Sequence, residues 1–345
     1  MRDVMVSVVI PAFNCASTLA RCLFSVIHQA DVELEIIVVD DASTDSTAFE
    51  LQAFEHESRL KVVRNNQRRG ASFSRNRGLS LAKGTWIMFV DADDELPLRS
   101  LYRLMEEALR TNVDMVVGAH VKRSSSGTVE LNRHGIEDGF FALSSELVPY
   151  IYHYVREPYI YTLLVHCWGK LLRKEVIEQN LLAFDENLEQ LEDVNFNFKF
   201  LNACKAIQYV NQPCYIHTIG QPESMSAHSG TELNAVTKIE HAYRPVADFL
   251  INRCEITREE ADSLVKHLLT TTTVIWLIRL SKRTKTHNIF RFAHEIRPIV
   301  ASRTLRKCLS AYNPMPRDSL IIYWSLLSGS AIVCAVSLRV NSLLR

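Results

Sequence analysis

Carboxylates gather where two apolar runs end. Asp40-Asp41 closes EIIVVD, and Asp91-Ala92-Asp93-Asp94 closes WIMFV. In extended backbone Asp91 and Asp93 point the same way, so one hard divalent cation can sit between their oxygens and a diphosphate and neutralise it as a leaving group. Carboxylates after a strand also serve as turn formers and helix caps, and that reading stands beside the metal one. A second acidic pair, Glu192-Asp193, opens a run with Phe196 and Phe200 at helical spacing. There a carboxylate can act as general base toward an acceptor hydroxyl, or it can serve only the dipole of its own helix.

These groups need a scaffold, and the N-terminal third supplies one by alternation. Val4 to Ala12 is rich in β-branched residues and interrupted by Pro11, which suits a buried strand better than a signal peptide despite Arg2 ahead of it. Ser17 then offers a cap to a helix carrying Leu19, Cys22, Leu23, Val26 and Ile27, before the strand at 35–40. A helix over 43–57, a strand at 60–63, a helix over 71–83, a strand at 86–90, a helix from Pro97 to Arg110 and a strand at 114–121 follow. Strands that are apolar on both faces and alternate with helices predict an α/β fold with a mainly parallel sheet across about residues 4–122, with ligands at the carboxyl ends of its strands. Residues 128–220 mix short strands with helices, Asp193 to Cys204 being the clearest element, and from Thr231 onward the pattern is mostly helical.

Composition narrows the class of protein. In 345 residues, apolar side chains make up 47% and charged ones 23%, which is ordinary globular usage and excludes a disordered or fibrous chain. Lys+Arg and Asp+Glu both number 39, so no basic excess announces a nucleic-acid binder. The eight cysteines form no C-x-x-C pair and lie in apolar stretches, as reduced thiols of a cytosolic protein do. No G-x-G-x-x-G follows the first strand, where Pro11-Ala12-Phe13-Asn14 stands instead, and no G-x-x-x-x-G-K-[ST] occurs, which argues against a Rossmann dehydrogenase or a P-loop NTPase.

In order and spacing, VSVVIPAFN, EIIVVDDASTDST, RRGASFSRNRGLSLAKG, WIMFVDADDEL, HCWGKLLRKEVI and LEDVNFNFKFL resemble the family 2 inverting glycosyltransferases of the GT-A fold, over about residues 4–220. The resemblance implies a Rossmann-like nucleotide-diphospho-sugar transferase core, a UDP-sugar donor and a Mn2+ or Mg2+ ion. It also implies roles for residues. Pro11, Ala12 and Phe13 with Asp41 would read the uracil, and Arg75 and Asn76 would line the donor pocket. Asp91 would meet ribose or metal, Asp93 would be the main protein ligand of the metal, and Asp193, with Glu192 beside it, would be the catalytic base. Trp168 and Lys170 would begin the acceptor side and His217 would approach the diphosphate, although a Trp among apolar residues also suits the core and His217 a satisfied buried site. Two motifs depart from the family pattern: Ala42 replaces the glycine of DDGSTD, and Phe73-Ser74-Arg75-Asn76 replaces AARN. The Q-x-x-R-W motif of processive synthases does not occur, so a single transfer is expected.

The expected organisation is a catalytic domain over 1–225, with a donor half over about 4–122 and an acceptor half over 123–225, followed by a helical region over 226–345. Between Ile275 and Ser310 nine Lys or Arg residues face one acid, Glu295, and Ser319 to Leu338 is uncharged. That segment suits an interfacial or re-entrant helix, a membrane span or a buried helix, and the first two would hold the enzyme at the cytoplasmic face of the inner membrane. A lipid-linked saccharide of O-antigen, capsule or another surface glycan is the acceptor expected there. Transfer to polyprenyl phosphate, or a silent GT-A domain that only binds nucleotide or glycan, are the rival readings.

Overall fold

A computed structural model describes residues 5–124, 127, 129–132, 139–142, 147–158, 162–219, 235–284, 288–312, 314 and 319–344. The chain divides into two compact units, Met1–Pro149 with Tyr161–His228, and Tyr150–Ile160 with Ser229–Arg345. The boundary expected near 225–235 falls almost entirely on residues 220–234, outside the described ones.

The first unit begins with β1 (Val6–Ala12), α1 (Ala16–Ile27), β2 (Leu34–Asp40), α2 (Thr47–Gln52), β3 (Leu60–Arg64), α3 (Ala71–Leu81), β4 (Trp86–Phe89), α4 (Ser100–Thr111) and β5 (Met115–Ser124). It continues with β6 (Val129–Asn132), β7 (Gly139–Ala142), α5 (Val148–Arg156), which runs on into the second unit, β8 (Lys170–Arg173), α6 (Lys174–Gln179), α7 (Glu192–Ala203) and β9 (Ala206–Ile219). One sheet runs β3-β2-β1-β4-β8-β5-β9-β7, with β6 paired to β5. The β3-β2-β1-β4 half is parallel, β8 runs antiparallel to both β4 and β5, and β9 is parallel to β5. The fold is therefore the expected mixed, mainly parallel sheet flanked by helices. All of β1 is buried, and so are Leu19, Cys22, Leu23 and Val26 of α1, which gives this half its apolar core.

Several local expectations change. Ser17 does not cap α1; the helix starts at Ala16, and the amides at its start are satisfied from the entry to α2, with Cys15 N–H donating to Thr47 Oγ1 (2.9 Å) and Ala16 N–H to Asp45 Oδ2 (3.1 Å). The second helix shortens from 43–57 to Thr47–Gln52, because Ser43 N–H is held by Asp40 Oδ1 at 2.9 Å in a loop instead. Ala42, where the family pattern has glycine, sits at φ +59°, so the loop keeps its left-handed turn without the residue best suited to it.

The second unit is helical: α8 (Ala235–Ala242), α9 (Arg244–Arg253), α10 (Arg258–Arg283), α11 (Ile289–Val300), α12 (Arg303–Ala311), α13 (Leu320–Leu327) and α14 (Ala331–Leu344). Side chains of Thr257, Asn288 and Ser302 cap three of these helices. The uncharged stretch from Ser319 to Leu338 is not one helix but two, broken around Gly329 at φ +67°. Among the described residues no helix is long and apolar enough to cross a membrane, so the spanning alternative is not what this segment forms.

Candidate active site

The strand order puts the carboxyl ends of β1, β2 and β4 side by side, and the acidic residues follow from there. β4 stops at Phe89, and Asp91 to Asp94 form a turn closed by Asp94 N–H to the Asp91 carbonyl at 3.0 Å. The shared direction of Asp91 and Asp93 expected from an extended strand is thus replaced by a turn, which brings Asp94 in as well. One carboxylate oxygen from each of Asp91, Asp93 and Asp94 lies within 4.8 Å of the others. Asp94 is committed to the protein: Tyr215 Oη donates to it at 2.8 Å and Thr218 N–H at 2.7 Å, while the same hydroxyl accepts Asp91 N–H at 3.1 Å. Burial, then the charge of Asp91, pushes the Asp93 carboxyl up to about 6, against the pull of Arg21. Burial, then the charges of Asp93 and Asp91, hold Asp94 well above the usual carboxylate range. An all-oxygen donor set of this kind suits Mg2+ or Mn2+. Asp91 and Asp93 have oxygens free enough to hold it; Asp94 braces the turn.

One guanidinium joins these carboxylates to the ED pair. Arg75 lies on the buried face of α3 and is only 3% exposed. Its Nη2 donates to Asp91 Oδ1 at 3.0 Å, and its Nη1 to Glu192 Oε1 at 3.2 Å and Asp193 Oδ1 at 3.1 Å. The other Asp193 oxygen accepts Cys167 N–H at 3.1 Å. Burial, then Asp193, lifts Glu192 to about 7, with Arg75 opposing. Gly78 lets α3 come this close, since a Cβ there would lie 2.3 Å from Val9 Cγ1. α7 delivers the acids at its start and buries Phe196, Phe198, Phe200 and Leu201 behind them, so its apolar surface is broader than the single face its spacing predicts.

The residues expected on the acceptor side are packed inward. Trp168 is stacked between His166 and Tyr215, each 4.4 Å away and within 8° of parallel, with His120 edge-on at 4.9 Å. Neither face of the indole is left for a sugar. Lys170 is 2% exposed and donates to the His166 carbonyl; burial pulls its ammonium down to about 8, against the nearby Cys167 and Asp193. His217 lies 5.2 Å from Trp168, its Nδ1 has no hydrogen-bond partner among the described residues, and burial lowers its pKa although Asp91 works the other way.

Among the residues expected to read the base, Pro11 and Ala12 are buried, and Phe13 is half-buried beneath the Arg68 guanidinium, 4.2 Å from its ring. Asp41 is also buried and accepts Asn65 Nδ2 (2.7 Å), Arg69 N–H (2.8 Å) and Gly70 N–H (2.7 Å), which fastens the loop that starts α3. Asn76 uses both ends of its amide on the Phe184 backbone, at 2.9 and 2.8 Å, and its Nδ2 also donates to Glu186 Oε1 at 3.3 Å, none of these being Asp91, Asp93 or the Glu192-Asp193 pair. Direct bonds therefore join Arg75, Asp91, Glu192 and Asp193, while Asp41 and Asn76 shape the loops around them. Sequence reasoning missed Tyr215 and the linking position of Arg75; no spacing rule ties Tyr215 to an aspartate 121 residues away.

The model of the family described as Glycosyl transferase family 2 matches residues 7–181. The uncharacterized glycosyltransferase EpsJ of Bacillus subtilis is 27% identical over 214 residues, covering 62% of this chain and 60% of its own. The UDP-Glc:alpha-D-GlcNAc-diphosphoundecaprenol beta-1,3-glucosyltransferase WfgD of Escherichia coli is 33% identical over 118 residues, covering 34% of this chain and 46% of its own. The chain thus spans less than two thirds of the length of these relatives. Among solved structures, S. aureus TarS 1-349 in complex with UDP-GlcNAc aligns over 99% of this chain and 92% of its own with a TM-score of 0.70, at 18% identity, a likeness of fold.

Proposed function

The chain belongs to glycosyl transferase family 2, and from that premise we propose that it moves one sugar, with inversion, from a UDP-sugar to a lipid-linked saccharide at the cytoplasmic face of the inner membrane, in surface polysaccharide, O-antigen or capsule synthesis. The observation that carries this reading is the Arg75 linkage, in which a buried guanidinium ties a donor-side carboxylate, Asp91, to the candidate base, Asp193, both partly exposed. The UDP donor is supported by the nucleotide sugar held in TarS and named for WfgD, and the lipid-linked acceptor by the diphosphoundecaprenol in WfgD's name.

The reaction is a single displacement. An acceptor hydroxyl oxygen bonds to the anomeric carbon as the bond from that carbon to the diphosphate breaks, and the electron pair leaves on UDP. Asp193 takes the hydroxyl proton. Its carboxylate is aimed by Arg75 on one oxygen and by Cys167 N–H on the other, so it waits in place. Glu192 shares Arg75 with Asp193, so the guanidinium is not committed to the base alone. A Mn2+ or Mg2+ ion on Asp93 and Asp91 supplies neutralisation of the diphosphate when bound.

A UDP-release screen over a panel of nucleotide sugars, with Mn2+ and extracted membrane lipid as acceptor, tests the reading. Release from one donor that depends on lipid, and that disappears in Asp193→Asn, is the expected result. Release unaffected by Asp193→Asn would point to an acceptor already ionised, such as polyprenyl phosphate, and no release from any donor would sink the reading.

A further inference from the structure

The helices α13 and α14 each carry two apolar faces and bury only one. α13 (LIIYWSLL) buries Ile322, Ser325 and Leu326 and leaves Leu320, Ile321, Trp324 and Leu327 exposed, Trp324 to 64%. α14 buries Cys334, Ala335 and Leu338 and exposes Ile332, Val333, Val336 and Val340. Spacings of one, four and seven or eight put each exposed set on a single face of its helix. The two helices pack against each other. An apolar surface of this extent on helices that also fill a core marks an interaction site.

Charge indicates what covers it. α12 packs against α13 and exposes Arg303, Arg306 and Lys307. Arg306 reaches the turn between α13 and α14, where a Cβ on Gly329 would lie 2.7 Å from its Nη2. α11 adds exposed Arg291 and Arg297, and its one acid, Glu295, is 3.7 Å from Arg291. A second copy of this chain would bring like charges together around the patch; an anionic lipid surface meets both the apolar faces and the cations. Helices of 8 and 14 residues are too short to span a bilayer but long enough to lie in its interface, with the Trp324 indole at the headgroup level.

We infer that α13 and α14 form an interfacial anchor, a helical hairpin whose exposed apolar faces sink into an anionic leaflet while the α11–α12 cations hold the headgroups. The inference deepens the membrane part of the proposed function and rests on that reading for the presence of such a leaflet. Its physical basis is independent of the transfer chemistry.

Flotation of the full chain with vesicles tests it. With vesicles of phosphatidylcholine and phosphatidylglycerol at about 3:1, the parent protein floats at low salt, and a fraction stays bound in about 0.5 M salt because insertion is not screened. The triple variant Trp324→Gln, Ile332→Asn, Val336→Asn alters only exposed side chains and is expected to lose about tenfold or more in partitioning. The pair Arg303→Gln, Lys307→Gln is expected to weaken binding at low salt and to leave the salt-resistant fraction. Circular dichroism checks that all variants fold, and metal-dependent UDP binding is measured on the same samples. Parental partitioning by the triple variant overturns the inference. So does a parent that ignores anionic vesicles, or one that forms a dimer which the triple variant abolishes. A parent that floats but binds no UDP would sink the donor assignment and leave the anchor standing.

Discussion

Replacing Arg75 by Met tests the core of the site through stability before any substrate is known. The guanidinium is within 3.2 Å of three carboxylates and its side chain is 4% exposed, whereas those of Asp91, Glu192 and Asp193 are 28%, 18% and 16% exposed. Removing one partner of a buried ion pair costs about 3–5 kcal/mol, and the partial exposure of the acids puts the expected loss near the lower end, about 3 kcal/mol. At 2–4 °C per kcal/mol for a domain of this size, that is a fall of about 6–12 °C in Tm. The loss also has a definite pH dependence. Burial and Asp193 already raise Glu192 from 4.5 to about 7 while Arg75 pulls it down. An acid whose folded pKa lies above its unfolded one favours folding below the unfolded value, and that contribution disappears as pH rises through the folded value. Without Arg75 the carboxyl is pushed higher still, so the variant's deficit grows between pH 5 and pH 8. Urea denaturation of parent and variant at both pH values, followed by circular dichroism, measures it. A deficit under about 1 kcal/mol at pH 8, or one equal at the two pH values, would mean that Arg75 does not neutralise this cluster.

Asp93→Ala is expected to remove the Mn2+-dependent part of UDP affinity in calorimetry while leaving Tm within a few degrees; unchanged metal-dependent binding would take Asp93 out of the metal site. Asp193→Asn should lower the transfer rate by about two to four powers of ten with little change in UDP affinity, and a variant with parental turnover would return Asp193 to the role of a helix-start acid. Gly78→Ala, which elsewhere in a helix would gain about 1 kcal/mol, is expected to destabilise by about 1–3 kcal/mol, because its Cβ would meet the stiff Val9 side chain that α3 rests on; a rise in Tm would show that this contact yields.

The parallel half of the sheet is legible because its strands are buried on both faces. β1 and β2 are apolar almost throughout, and no helix period competes with them. β9 was hidden for the opposite reasons. Its sequence AIQYVNQPCYIHTI mixes polar residues with a proline, which would ordinarily end a strand. The proline is accommodated where the register with β5 shifts, opposite Ala119. Nothing local announces that shift, yet through it Tyr215 and Thr218 reach Asp94.

The same distinction explains which site residues could be read. Asp91, Asp93, Glu192 and Asp193 are acids at the ends or starts of elements, where local spacing already says that something must balance them. Whether a buried polar side chain serves a ligand or its own backbone is a question of direction, and sequence carries no direction. Asp41, expected to read a base, has three protein donors on its carboxylate, and Asn76 faces the Phe184 backbone. Such residues act on a ligand through the loops they hold. By that logic the loop from Asn65 to Gly70, fastened to Asp41 and carrying Arg68 over Phe13, is the part of this rim that the proposed base-reading role of Asp41 would act through. Arg75 belongs to both groups, since it anchors structure and pairs with the candidate catalytic carboxylates at once, and a substitution there is expected to disturb folding and the proposed chemistry together.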